Sequence, residues 1–411
     1  MKTKGLRLIH SLLGLVTAGF LILTGLTGAI ISWDHELDEL INPQLMLAPT
    51  SSAMTSEKAL FLANQLEKRY PDVEISYLPL AVEQGHSLAV FVSPKWMQAT
   101  QQLSDVPFNQ IFINHETEQE LGKREWGAVF PITQENFVSF LYKLHYSLHF
   151  PEMNGIDRWG MWLLGIIGFL WLVNNFIGLT LTFPRLTGFS MLKQAQWWRI
   201  WRKGFILSVT VDRLKTAFQL HRLLGLWLWG LLIIIAFTAF SLNLYREVFI
   251  PVMSATTDLT PSIYAQRPFL SPSEFKKEIQ SRESILNKAI TQAQKLSWHK
   301  PISAISYMQE FALYRVDFFE LTDDHGVGGA GHDSLFFDAQ TGDYLGHKIP
   351  WTGTTADVFV EAQFPLHSGR ILGLFGRITV SLLGIMIVVM SALGVYLWLR
   401  KFRKDNSSNQ K

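Results

Sequence analysis

Histidine placement carries the clearest chemical content in this sequence. His10-Ser-Leu-Leu-Gly14-Leu recurs as His221-Arg-Leu-Leu-Gly225-Leu about half a chain later. Each copy follows basic residues and opens a long apolar run. Two further apolar runs are also preceded by histidine. One follows Leu144-His145-Tyr-Ser-Leu-His149-Phe-Pro151, the other Phe364-Pro365-Leu-His367-Ser-Gly369-Arg370. Neutral imidazole is the commonest metal ligand, and a haem iron accepts one imidazole on each face. The sequence supplies an inner pair, His10 with His221, and an outer pair, His367 with His145 or His149. Two haems, one near each surface, would give electrons a path across a membrane. A single histidine near an interface is tolerable without any such role. Its repetition at the start of all four runs is what favours ligation, because ionisable groups in membrane helices are costly and default to function. A non-haem metal fits less well, since the runs hold no Asp or Glu.

The elements that must position these residues are helices. The chain has 411 residues, 48% hydrophobic, with a formal net charge of +2, and neither length nor charge points to nucleic acid. Four uncharged runs stand out: Ser11 to Trp33, Met161 to Pro184, Leu223 to Tyr245 and Ile378 to Leu399. A spanning helix needs about 20 such residues, and each run meets that. The first is longer than a signal-peptide core and lacks a small-x-small cleavage site, so it reads as a retained helix. The chain has no cysteine, which excludes c-type haem attachment and disulfides but not a non-covalent haem.

Charge sets the orientation. Lys2, Lys4 and Arg7 precede the first run. Arg185, Lys193, Arg199, Arg202, Lys203, Arg213 and Lys215 lie between the second and third. Arg400, Lys401, Arg403 and Lys404 follow the fourth. The positive-inside rule makes that side cytoplasmic, so both termini are expected inside and the two long loops outside. Trp197, Trp198 and Trp201 among the arginines suit a segment lying at the interface. Asn174 and Asn175, at membrane depth, are expected to face the bundle interior. The spacing of His145 and His149 within a helical pattern over 137–149 puts them on one face.

Each long loop reads as one helix on a small antiparallel sheet. In the first, Ser56 to Leu66 forms the helix, ended by Pro71, and strands follow at Val73 to Leu80, Ser87 to Val92 and Gln110 to Asn114, with a turn to a short fourth. His86 and His115 read as solvent-facing loop residues. In the second, Ser271-Pro272-Ser273-Glu274 caps a helix running to Leu296, and strands follow at Ile302 to Met308, Ala312 to Leu321 and Ser334 to Asp338. The turn at Asp338-Ala-Gln-Thr-Gly342 echoes the corresponding one in the first loop and supports a duplication. Asp323-Asp324-His325-Gly326 through His332-Asp333 offers metal-type side chains, but its glycines favour a plain loop at a sheet edge.

Taken together, the His10-x-x-x-Gly14 helix with Thr24-Gly25, the Leu144 to His149 run, the Leu179-Thr-Leu-Thr-Phe-Pro184-Arg185 end and Pro365-Leu-His367-Ser-Gly-Arg370-Ile-Leu-Gly373-Leu-Phe-Gly376-Arg377 resemble PepSY-associated transmembrane-helix proteins. The resemblance covers nearly the whole chain. It implies a membrane protein with a four-helix transmembrane bundle and two periplasmic α+β PepSY-like domains, of the inner-membrane, haem-b ferric-siderophore reductase type. It implies two haems b, held axially by His10, His221, His367 and one or both of His145 and His149.

The expected organisation is a transmembrane helix over 1–33, a periplasmic PepSY-like domain over 34–144 and a second helix over 145–184. A cytoplasmic basic loop over 185–217 and a third helix over 218–245 follow. A second PepSY-like domain over 246–366, a fourth helix over 367–400 and a cytoplasmic tail over 401–411 complete it. Arg370, beside His367, suits pairing with a haem propionate or an anionic substrate. The expected partners are the lipid bilayer, a ferric siderophore or other Fe(III) chelate, and a separate electron donor, either quinol or a cytoplasmic reductase. The alternatives are a PepSY-type periplasmic peptide- or protein-binding module on a plain membrane anchor and, less well supported, a permease subunit.

Overall fold

The computed structural model describes residues 2–184, 191–208, 211–275, 279–322 and 325–408. The chain forms two compact units, one of Met1–Trp33, Leu141–Thr256 and Gln363–Lys411, the other of Asp34–Phe140 and Thr257–Ala362.

The first unit is helical. Its elements are α1 (Lys2–Ile31), the later part of α2 (Phe137–Ser147), α3 (Trp159–Thr182), α4 (Arg213–Trp227), α5 (Trp229–Asn243), α6 (Gln363–Ser368) and α7 (Gly373–Ser408). Among the described residues three helices are long and apolar enough to cross a membrane: Lys4–Ile31, Trp159–Thr182 and Arg370–Lys401. The third apolar run of the sequence is not one straight helix. It breaks into α4 and α5, which bend by 72° at Leu228. Gly225 and Gly230 flank the break, and glycine lowers the cost of leaving helical geometry. Small residues set the closest approach in the bundle. A Cβ on Gly25 would lie 2.8 Å from the Gly384 carbonyl oxygen, so α1 and α7 meet at backbone distance, as membrane helices with small residues do. Leu21, Trp171, Leu232, Ala236, Leu383 and Ile387, from α1, α3, α5 and α7, form its buried apolar centre.

The second unit is built on one eight-stranded antiparallel sheet. The first loop supplies β1 (Val73–Pro79), β2 (Leu88–Pro94), β3 (Gln110–Ile113) and β4 (Glu120–Arg124). The second supplies β5 (Ile302–Met308), β6 (Leu313–Phe318), β7 (Asp333–Asp338) and β8 (Tyr344–Lys348). The strand order is β8-β7-β6-β5-β1-β2-β3-β4. The two loops therefore share a sheet, joined where β1 pairs with β5 through Tyr77↔Ser306, Leu78↔Ile305 and Pro79↔Ala304. Either half alone would leave that strand as an open edge, and the pairing removes it. The helices Ser56–Arg69 and Arg282–Lys295 bury Leu62, Ala63 and Leu66, and Ile285, Leu286 and Ala289, in one core with Ile75, Val90, Tyr314 and Phe337.

Arg282, from the second half, bonds Glu67 at 2.6 Å and Glu74 at 2.9 Å in the first half, and its side chain is only 11% exposed. Removing one partner of a buried ion pair costs about 3–5 kcal/mol, because the charge left behind is uncompensated. Arg282→Ala should accordingly destabilise this unit by about 3–5 kcal/mol. Hydrogen exchange on the full-length protein in detergent should then show faster exchange of the β1 and β5 amides. Unchanged exchange would mean the halves do not depend on this contact.

Two local expectations change, and a third holds. The capping box at Ser271 starts only the single turn Pro272–Glu274, and the long helix begins at Arg282 with Ser281 as its cap. His115 is buried, at 2% exposure, instead of facing solvent. In the glycine-rich loop, Gly326, Gly328, Gly329 and Gly331 all have positive φ, the conformation glycine adopts without strain. Its His325 ring lies 5.3 Å from that of His35, while His332 stacks on Phe319. Asp323 and Asp324 lie outside the described residues, as does Arg185; of the side chains of Lys193, Arg403 and Lys404 nothing is described.

Candidate functional site

The helical unit brings the sequence-singled histidines together as two facing pairs. His10 on α1 and His221 on α4 have ring centres 6.4 Å apart. His145 on α2 and His367 on α6 have ring centres 6.1 Å apart. A metal–imidazole bond of about 2.0 Å, plus about 1.1 Å from nitrogen to ring centre, would put two axial imidazoles about 6.2 Å apart. Both pairs match that spacing.

Each of these rings is held through Nδ1. His10 Nδ1 lies 2.8 Å from Asn174 Oδ1, His221 Nδ1 3.1 Å from the Met390 carbonyl oxygen, His145 Nδ1 3.0 Å from Thr27 Oγ1, and His367 Nδ1 2.9 Å from Thr238 Oγ1. A backbone carbonyl only accepts, so His221 carries its proton on Nδ1. The threonines give the same answer by a second route. Thr27 Oγ1 donates to the Leu23 carbonyl and Thr238 Oγ1 to the Ile234 carbonyl, both at 2.8 Å. Their hydroxyl protons are thus used within the helix, and the oxygens accept from histidine. With Nδ1 protonated, Nε2 holds the lone pair. Metal-ligating histidines are oriented by this kind of outer hydrogen bond.

Glycines press on the rings. A Cβ on Gly28 would lie 2.9 Å from His145 Cε1, and one on Gly178 3.0 Å from His10 Cε1. One on Gly394 would lie 3.7 Å from His221 Cε1. The two halves repeat the design. The same number of residues separates His10 from Thr27 as separates His221 from Thr238. Because His10 and Thr27 share one helix, the two histidine pairs lie about 25 Å apart along α1, at about 1.5 Å per residue.

The His145–His367 pair opens on a cavity of about 430 Å³, lined also by Gly25, Gly28, Gly384, Arg158 and Arg370. That is within the range of small-molecule and cofactor pockets. Arg158 pairs with Glu247 at 2.8 Å, and the Arg370 guanidinium lies 5.9 Å from the Phe364 ring centre.

His149 lies beyond the helix that carries His145. The helix of His145 ends at Ser147, and Leu148 and His149 both have positive φ. The i, i+4 spacing therefore does not place His149 on the face of His145. Asn174 faces inward as its position suggested, but its role as the partner of His10 was not read from sequence. Neither were Thr27, Thr238, Gly28, Gly178, Gly394 or Arg158. Among the described residues, no group of three or more His, Cys, Asp or Glu side chains is arranged to hold a metal ion.

A family model described as the PepSY-associated TM region matches residues 7–401. No curated protein matches the chain.

Proposed function

The chain belongs to the PepSY-associated transmembrane family, and from that premise we propose that it is a di-haem membrane reductase delivering electrons to a ferric chelate outside the cell membrane. The observation that carries this reading is the pair of facing histidine pairs, at 6.4 and 6.1 Å, each ring tied down at Nδ1. Two histidines alone would not complete the coordination of an iron ion, so these pairs suit an iron that brings its own ligand, as haem does, with His10 and His221 holding one and His145 and His367 the other. Haem b held there would supply reversible one-electron chemistry.

The residues divide the work. His10 and His221 serve the inner site, His145 and His367 the outer one. Asn174, Thr27, Thr238 and the Met390 carbonyl fix the ring orientation. Gly28, Gly178 and Gly394 leave room beside the rings. Arg370 and Arg158 line the outer cavity, where guanidinium groups suit carboxylates such as haem propionates. α4 and α5 together make the fourth span, so that the bundle has four. Each half of the sheet unit, one helix on four strands, is one PepSY-like domain. The positive-inside rule, applied to the basic segments, supports cytoplasmic termini and a periplasmic sheet unit at a bacterial inner membrane. The donor is quinol or a cytoplasmic reductase. Ferric iron prefers hard oxygen ligands, so adding one electron loosens the chelate and releases Fe(II).

Protein purified in detergent, reduced with dithionite and mixed anaerobically with a ferric hydroxamate tests this. The reduced b-type bands should fade as a ferrous chelator traps one Fe(II) per electron lost. Bands that persist while the chelate stays ferric would remove the reductase assignment.

A further inference from the structure

The acceptors at Nδ1 differ between the two sites in a consistent way. At the inner pair both are amide oxygens, the Asn174 side chain and the Met390 backbone. At the outer pair the acceptor for His367 is Thr238 Oγ1, while His145 has Thr27 Oγ1 together with the Thr24 carbonyl; at the inner pair His10 has the Asn174 backbone carbonyl besides the side chain, so amide oxygens still dominate there. An amide oxygen is the stronger hydrogen-bond acceptor. The more strongly Nδ1–H is drawn away, the more electron density Nε2 donates to a bound metal. A more basic axial ligand stabilises Fe(III) over Fe(II) and so lowers the reduction potential.

We propose that Asn174 and the Met390 carbonyl on one side, and Thr27 and Thr238 on the other, grade the two sites so that the inner iron has the lower potential and the outer iron the higher. The inference rests on the haem reading and adds a direction to it. One electron leaves inner Fe(II), which becomes Fe(III), and reduces outer Fe(III) to Fe(II), downhill toward the side of the two long loops. The duplicated sequence gives the device its economy of parts. Thr27 and Thr238 occupy equivalent positions in the two halves, so each outer ring meets a threonine hydroxyl, joined at His145 by the Thr24 carbonyl. Arg370 at the outer cavity adds positive charge, which raises a potential in the same direction. Arg222, next to His221, acts in the opposite sense, so the acceptors are best read one at a time by substitution. These four groups are positioning residues, acting through the histidines.

The test is spectroelectrochemical titration of the full-length protein in detergent, with His221→Ala and His367→Ala assigning the steps to the outer and inner sites. Asn174→Leu should raise the lower potential and leave the upper one in place. Asn174→Thr, which keeps a hydroxyl acceptor, should raise it by less, and serves alone if the leucine variant loses haem. Thr27→Val and Thr238→Val, close to isosteric, should raise the upper potential only. Haem-replete protein whose sites titrate at one potential, whose inner site is the higher, or whose potentials ignore these substitutions would overturn the proposal while leaving the haem reading intact. Protein without b-type bands would instead remove the haem reading beneath it.

Discussion

His221→Ala protein should purify with one haem per chain where the wild-type protein has two, and His10→Ala should behave the same way. His145→Ala and His367→Ala should each lose the other haem. The reason is geometric. Each pair is made of rings from two different helices, 6.4 and 6.1 Å apart, and the pairs are separated along α1 by about 25 Å at 1.5 Å per residue. On the proposed di-haem reading, deleting one imidazole would remove a ligand at one site and touch nothing at the other. His149→Ala should keep both haems, since His149 lies beyond the end of its helix on left-handed backbone. Pyridine haemochrome quantitation against protein concentration reads all five variants. Loss of both haems from each single variant would mean the sites are not separate. Loss of one from His149→Ala would mean the ring pairing assigned here is wrong.

The second large effect needs no change to a ligand. Gly28→Val should empty the outer site while leaving the inner one filled. The Cβ alone would come within 2.9 Å of His145 Cε1, closer than carbon atoms approach without displacement. That ring is not free to swing, because its Nδ1 is held by Thr27, one residue away on the same helix. Overpacking of this kind costs about 1–3 kcal/mol. The ring is expected to relieve it by leaving the position that faces His367. Gly28→Ala should show the same loss in weaker form, as a lowered haem occupancy. The expected visible spectrum of Gly28→Val matches that of His145→Ala. A full complement of two haems in Gly28→Val would show that the outer pair does not need this close contact. The retained inner haem reports that the bundle still folds.

How far the sequence leads can be judged at these same residues. The histidines are legible because each stands at the start of an apolar run, where a titratable group is conspicuous. The structure brings the His10 ring beside that of His221 and the His145 ring beside that of His367. Thr27 and Thr238 are not legible in that way. A helical threonine ordinarily satisfies its hydroxyl on its own backbone, as both do here, and the second lone pair finds its partner only once another helix arrives. Their equal distance from His10 and His221 was the available signal, visible only after the duplication is taken seriously at single-residue resolution.

His149 shows the opposite failure. The 137–149 pattern suggests helix through His149, but the helix ends at Ser147, and Pro151 just downstream argues against helix in the residues leading to it. In the sheet unit, the strands were legible from their alternation and turns, but the β1–β5 pairing was not. It joins segments more than half a chain apart, and local periodicity carries no information about which open edge meets which. The break between α4 and α5 was hidden for a related reason. Leu223 to Tyr245 is uncharged and predominantly apolar throughout, so hydropathy alone cannot distinguish a straight span from a bent one.

The most direct measurement is a reduced-minus-oxidised visible spectrum of the wild-type protein, purified in detergent from haem-replete cells, with haem quantified by the pyridine haemochrome. The account predicts sharp b-type bands and about two haems per chain, one for each bis-histidine site. A colourless protein would contradict it, and would leave the two histidine pairs as packing within a membrane anchor for the sheet unit.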